Sequence, residues 1–162
     1  MTRGGYTEQS TEKKVKRNQR GVDSLSKRPA TATGSGIPVY HHKVFGDDQL
    51  VLTGDGRRIW IIPQDMNNAV LTAVAIAVTT VSSSGIVQVQ LRRMRVSVGD
   101  ADMLSTRVQI DASEFTSYDA ATAYVINTSN DDVLFKDRIA VDVDAAGTNA
   151  QGLEVIATFT PA

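Results

Sequence analysis

The two histidines of the chain, His41 and His42, are the first candidates for acid–base chemistry, and they are adjacent. Neighbouring side chains in a strand point to opposite faces, so this pair cannot easily serve one site. The chain has no cysteine, which excludes disulfides, thiolate zinc sites and cysteine nucleophiles. It also lacks a nucleophile elbow, a phosphate-binding loop and a paired-histidine zinc motif. We therefore expect a protein that is not an enzyme and that uses no cofactor or metal.

Acidic residues supply a second candidate chemistry. Asp142 and Asp144 are two residues apart, which places them on one face of a strand, and Asp47-Asp48 and Asp131-Asp132 are acidic doublets. Calcium favours clustered oxygen ligands, but this spacing does not match a calcium-binding loop. A solvated acidic face is the simpler interpretation, and no pair stands out for glycoside hydrolysis.

Three arginines form a basic cluster around Met94 on a predicted strand. Arg92, Arg93 and Arg95 could pair with acidic residues of a neighbouring subunit, which would make them a subunit interface. They could equally form a charged strand edge that resists aggregation. The only tryptophan, Trp60, is expected in the core rather than on a ligand-binding surface.

The charge of the chain divides it into two parts. Residues 1–36 carry a net charge of +5 and residues 37–162 carry −6. The first part is poor in apolar residues, so we expect a basic, extended arm that docks onto a partner, followed by one domain at residues 37–162. The expected contact residues of the arm are Lys13, Lys14, Lys16, Arg17, Arg20, Leu25, Lys27 and Arg28.

The partner of the arm has two candidate chemistries. Basic side chains can neutralise the phosphates of a nucleic acid, or they can lie on an acidic protein surface. The arm has no aromatic residues interleaved with its basic cluster for base stacking, so we expect protein and not nucleic acid. No apolar run reaches the roughly 20 residues of a membrane helix, and we expect no membrane association.

From Ile37 onward the pattern predicts nine or ten short strands and hence an all-β, antiparallel, two-sheet sandwich resembling a jelly roll. We expect strands at VYHHKVF, QLVLT and RRIWII, with GDG (residues 54–56) as a hairpin turn. NAVLTAVAIAVTT is apolar on both faces, which predicts cover on both sides, from a neighbouring subunit for example. In IVQVQLRRMRVSV the apolar parity switches at Arg92-Arg93, which predicts a bulge or a crossing between sheets.

The rest of the domain follows the same pattern. LSTRVQI predicts one strand, and DASEFTSYDAATA predicts a loop or one helical turn. AYVIN and VLFKD predict two further short strands. RIAVDVD and LEVIATF, joined by a turn-forming stretch, are expected to form a terminal hairpin.

The segment IWIIPQDMNNAVLTAVAIAVTTVSSSGIVQVQLRRM resembles a recurring small β-sandwich of tailed-bacteriophage virion proteins. In that group a strand like 139–144, a glycine-containing turn like 145–148 and a last strand like 153–159 close the domain. The group includes tail or neck fibre modules and capsid decoration proteins. The resemblance implies a virion structural protein without catalytic residues, bound to other virion proteins and assembled as a homo-oligomer, often a trimer.

A carbohydrate-binding module for attachment to a host surface is the alternative, because jelly rolls often bind sugars through exposed aromatic side chains. The candidate aromatics are Tyr40, Trp60, Tyr118 and Tyr124. A small hydrolase is a third hypothesis, with Asp142 or His42 as the residue to test.

Overall fold

The computed structural model describes residues 38–161, and the arm predicted at residues 1–36, with its eight expected contact residues, lies outside this range. The described chain forms eleven strands and two single turns of 3-10 helix, at Gln64–Met66 and Ser117–Asp119. The first six strands are β1 (Val39–Lys43), β2 (Gly54–Ile61), β3 (Ala69–Ala77), β4 (Val87–Arg95), β5 (Gly99–Asp102) and β6 (Leu104–Thr106). The other five are β7 (Val108–Ile110), β8 (Val125–Ile126), β9 (Asp132–Val133), β10 (Arg138–Ala146) and β11 (Glu154–Pro161). Within the same range, no helix is long and apolar enough to cross a membrane.

Two antiparallel sheets form the domain. One has the strand order β1-β11-β3-β9 and the other β2-β10-β4-β5, with β7 also paired to β4. A separate two-stranded sheet joins β6 to β8. Successive strands β1 to β4 alternate between the two large sheets, and so do β9, β10 and β11. This order is that of a jelly roll, with β7 as an additional strand beside β4, and the predicted all-β, two-sheet fold class is confirmed.

The core lies between the two large sheets. Every second residue of the central strands faces it, as the period-2 alternation predicts. Burying a large apolar side chain of this kind contributes about 1.5–3 kcal/mol. Fully buried side chains include Val87, Val89 and Leu91 of β4, Ile139 and Val141 of β10, and Val155 and Phe159 of β11.

The expected terminal hairpin is wrong. β10 pairs with β2 and β4, whereas β11 pairs with β1 and β3 in the opposite sheet. The connection at residues 147–153 crosses from one sheet to the other. The alternation of apolar residues indicates that each strand has one buried face, but it does not indicate which other strand it is hydrogen-bonded to.

The expected strand QLVLT and the turn GDG are also wrong. The segment before β2 forms only an isolated bridge from Leu50 to Gln151, and β2 itself begins at Gly54. Leu50 and Leu52 are exposed, whereas Val51 is buried. The apolar residues of this segment therefore supply one side chain to the core, but the segment does not pair as a strand of either sheet.

β4 does not switch its buried face at Arg92-Arg93, and that prediction is wrong. The strand is continuous, and Arg93 continues the inward face of Val89 and Leu91 at only 5% exposure. The irregularities in this sheet involve β10 instead, between Val143 and Ala145 in its pairing with β4 and between Val141 and Val143 in its pairing with β2. In the sequence a charged residue at this position suggests an exposed side chain. The core-facing Arg93 therefore gave the false impression that the buried face of the strand had switched.

One edge of β3 is bonded to a later segment of the same chain, whereas cover of both its faces stays a prediction. Backbone N–H groups of Val74, Ile76 and Val78 donate to the Tyr124 hydroxyl, the Ser117 hydroxyl and the Phe115 carbonyl. The predicted loop or single helical turn in this region is confirmed by the 3-10 turn. The single strand predicted at LSTRVQI is two strands in the structure, since β6 pairs with β8 and β7 pairs with β4.

Candidate functional site: an arginine–aspartate network

The outer half of the network joins four strands of one sheet, β2, β10, β4 and β5. Arg92 donates from Nε to Asp142 Oδ2 at 2.6 Å and from Nη1 to Asp100 Oδ2 at 2.5 Å. Asp142 also accepts the backbone N–H of Gly56 at 2.6 Å, which ties β10 to β2. The hydrogen bond with Asp142 is the main reason that the pKa of Arg92 is raised. The guanidinium is thus a permanent cross-link between neighbouring strands.

The inner half of the network joins the two large sheets. Arg93 on β4 donates to both the backbone carbonyl and the carboxylate of Asp132 on β9. Arg95 donates from Nη2 to Asp132 Oδ2 at 2.8 Å and to Asp137 Oδ2 at 2.6 Å. Asp137 also accepts the N–H of Leu134 at 2.8 Å. Since β4 and β9 belong to different sheets, these ion pairs close one end of the sandwich.

Two residues of this inner cluster, Arg95 and Asp132, have shifted pKa values. Hydrogen bonds to Asp137, and then to Asp132, raise the pKa of Arg95 against the opposing effect of burial. Burial raises the pKa of Asp132, but Arg95 and Arg93 outweigh it and hold that pKa below its ordinary range. Arg95 and Asp132 are therefore both ionised at neutral pH, and their ion pair is part of a structural clamp.

The three arginines predicted at a subunit interface lie together but are engaged within their own chain. The side chains of Arg92, Arg93 and Arg95 are only 21%, 6% and 12% exposed. The alternative of a solvated strand edge is wrong, because β4 lies between β10 and β5. The subunit-interface role stays a prediction. The sequence analysis did not assign aspartate partners within the chain, because most of them lie 37 to 50 residues away from the arginines.

The acidic residues do not form the expected solvated face. Asp142 is 6% exposed and is held by Arg92, whereas Asp144 is partly exposed and accepts Arg107 Nε at 2.5 Å. Asp47 pairs with Lys43 at the surface. Over the described residues, no three histidine or carboxylate side chains are grouped as metal ligands would be.

The two histidines point to opposite sides of β1, as predicted. His41 is exposed, and its Nε2 lies 3.2 Å from Glu154 Oε2. His42 points inward and stacks on Trp60, with ring centroids 4.4 Å apart. Trp60 is 7% exposed, which confirms the prediction that it belongs to the core. This geometry gives the pair no shared site.

Two grooves lie on the surface of the described part of the chain. One groove of about 160 Å³ lies beside β3 and is bordered by Tyr118, Tyr124 and Thr158. Another, of about 350 Å³, lies between Val96 and Phe135 at the end of the sandwich. The second groove is also bordered by Arg95 and Asp137 of the network, but these two charges are already paired with each other.

Comparison with known proteins identifies no relative, since no family model, curated protein or solved structure matches the chain. The strand order of the described residues defines the fold, which is a jelly roll clamped by buried ion pairs.

Proposed function

We propose that this chain is a non-enzymatic structural protein of a virus particle, and that its jelly roll forms part of the capsid. In this proposal residues 1–36 dock onto neighbouring copies and other virion proteins, and the domain faces outward. The chain then resides in the virion and works as a homo-oligomer, with a trimer as the order implied by the sequence resemblance.

The observation that carries the proposal is the strand order. Two sheets ordered β1-β11-β3-β9 and β2-β10-β4-β5 are the arrangement that recurs in viral capsid domains. This arrangement supports a capsid position better than a tail or neck position, which the sequence resemblance had left equal. The resemblance adds a tailed bacteriophage as the source of the particle.

The distribution of charge agrees with assembly from copies of one chain. The arm carries +5 and the rest of the chain −6, so the arm of one subunit is attracted to the domain of the next. Such attraction mainly speeds encounter and aligns subunits, and it weakens as salt screens it.

Exposed apolar side chains supply a second feature expected of an assembling subunit. Val96 and Phe135 border the groove at one end of the sandwich, and the neighbouring Val98 is 70% exposed. Large exposed apolar side chains grouped in this way are typical of surfaces that bind another protein.

The proposal is tested by expressing the full chain and a chain lacking residues 1–36, then imaging both by electron microscopy at low salt. The full chain should form closed particles or regular rings, and the shortened chain should stay folded by circular dichroism but fail to form them. A full chain that stays monomeric at every concentration and salt tested would contradict the proposal. If the shortened chain assembled as well as the full chain, the proposed docking through residues 1–36 would be wrong.

A carbohydrate-binding module is the second candidate, and one observation favours it. Tyr118 is 78% exposed beside the groove at β3, where its ring could stack on a sugar. A glycan array tests this directly. Binding that is lost in Tyr118→Ala would support the candidate, and an array without any bound glycan would exclude it.

A further inference from the structure

An aromatic seam joins the two sheets where their edge strands meet. Strand β1 is the edge of one sheet and β2 is the edge of the other. Between them His42 stacks on Trp60 at 4.4 Å and 27°, and the ring of Tyr40 lies 6.0 Å from that of His42. Tyr40 also packs edge-on against Phe159 in the core. These contacts, which we call the β1–β2 seam (Tyr40, His42 and Trp60), hold the edge strands together.

Two polar nitrogens are buried in this seam. Within residues 38–161, neither His42 Nε2 nor Trp60 Nε1 has a hydrogen-bond partner. A buried, unpaired polar group reduces stability, and a buried, unpaired charge does so far more. The seam therefore tolerates a neutral imidazole and has no protein acceptor in the described chain for an imidazolium.

The charged groups that act on His42 itself repel a proton, whereas the nearby carboxylates act on its neighbours: Asp65 acts on Tyr40, and Glu154 of β11 contacts His41 on the outer side of β1. Arg58 acts on it from β2 and His41 from its own strand, and β11 places the apolar Val155 directly opposite. Tyr40 and Trp60 supply uncharged rings on the remaining sides. Burial, and then the charges of Arg58 and His41, lower the pKa of His42.

We propose that His42 is an acid-sensitive latch: as a neutral ring it closes the seam between β1 and β2, and its protonation releases these two edge strands from each other. The latch is a property of the folded domain, so it does not depend on the proposed role in a virus particle. In an assembled particle it would loosen the edge of each subunit under mild acid.

The direction of the pH effect follows from the sign of the shift. Because the folded chain binds a proton at His42 less readily than the unfolded chain, the unfolded state gains protons first as pH falls. The stabilising contribution of His42 is fully present above its ordinary pKa of 6.5 and is lost as pH falls through the lower, folded value. Each pH unit inside that window changes the unfolding equilibrium constant by up to about tenfold.

The test uses the fluorescence of Trp60, the only tryptophan of the chain, in full-length protein. Acrylamide quenching is measured between about pH 7.5 and about pH 5, the range in which histidine titrates. In the wild-type chain the quenching constant should rise as pH falls, because the release of β1 exposes Trp60. His42→Phe, which keeps an aromatic ring without the titration, should remove the rise, and His42→Gln serves as a second variant.

Two further variants distinguish the latch from a general response to acid. His41→Gln, on the exposed side of the same strand, should keep the rise in quenching. Arg58→Gln should move its midpoint to higher pH, because a repelling charge has been removed. A wild-type constant that does not change with pH would overturn the latch, and so would a His42→Phe variant with the same rise as wild type.

Discussion

The buried carboxylate of Asp142 should stabilise the domain far more than the similar carboxylate of Asp144, two residues away. Asp142 accepts two hydrogen bonds from Arg92, at 2.6 and 3.1 Å, and one from the backbone of Gly56. Replacing Asp142 by alanine leaves the Arg92 guanidinium without its main partner and the N–H of Gly56 without an acceptor. Only Asp100 then remains to balance Arg92.

The expected cost follows from that geometry. Breaking a buried ion pair by removing one partner costs about 3–5 kcal/mol. Because Arg92 is partly exposed and keeps Asp100, Asp142→Ala should lie at the lower end, at about 3 kcal/mol. With a urea dependence of about 1–3 kcal/mol per molar, the midpoint of unfolding should fall by about 1–3 M. Asp144→Ala removes a partly exposed pair with Arg107 and should cost about 1 kcal/mol or less.

Urea unfolding followed by the fluorescence of Trp60 measures these differences. The double variant Arg92→Met with Asp142→Leu should recover part of the lost stability, because it leaves no buried charge unpaired. The exposed Asp100 loses its partner to water, and the N–H of Gly56 still lacks its acceptor. The reasoning is refuted if Asp142→Ala and Asp144→Ala differ by less than about 0.5 kcal/mol, which is the usual scatter of a surface substitution. A double variant no more stable than Asp142→Ala would also contradict it.

Two more predictions concern a turn and the response to acid. Gly147→Ala should destabilise the domain by about 2 kcal/mol or more, since Gly147 has a φ of +64° and an added Cβ would lie 2.7 Å from Ser82 Cβ. The control is Gly99→Ala in the same urea assay. Gly99 has a φ of +89° but open space around it, so this substitution should cost less. Asp132→Asn should reduce the loss of stability that the wild-type chain shows below about pH 4. A carboxylate with a lowered pKa stabilises the fold above its ordinary pKa of 3.8 and loses that effect as pH falls through the pKa of the folded state. Urea unfolding at a series of pH values tests this, and an unchanged dependence of stability on acid pH would refute it.

The all-β class was predictable because the alternating strands each carry one buried face. Segments around Val87–Leu91 and Ile139–Val143 alternate cleanly, and both lie in the core as expected. The pairing of strands was not predictable in the same way. β10 and β11 look like a hairpin along the chain, but a jelly roll sends them to opposite sheets. Local alternation is the same for both arrangements.

The candidate site was predicted in its basic half alone. The arginines around Met94 stood out as a cluster, but Asp132, Asp137 and Asp142 are contributed by β9, the following loop and β10. Charge partners separated by 37 to 50 residues leave no spacing that a single sequence reveals. Arg93 was the most misleading residue, because a charged side chain on the core face imitates an exposed position.

The central claim, that this chain is an assembling structural protein of a virus particle, is tested most directly by the mass of the purified protein in solution. Light scattering should be measured for the full chain and for a chain lacking residues 1–36, at low and high salt. The account predicts a defined multiple of the 17.4 kDa chain for the full-length protein, reduced by deletion of the arm and by salt. A monomeric full-length chain under all of these conditions would contradict it.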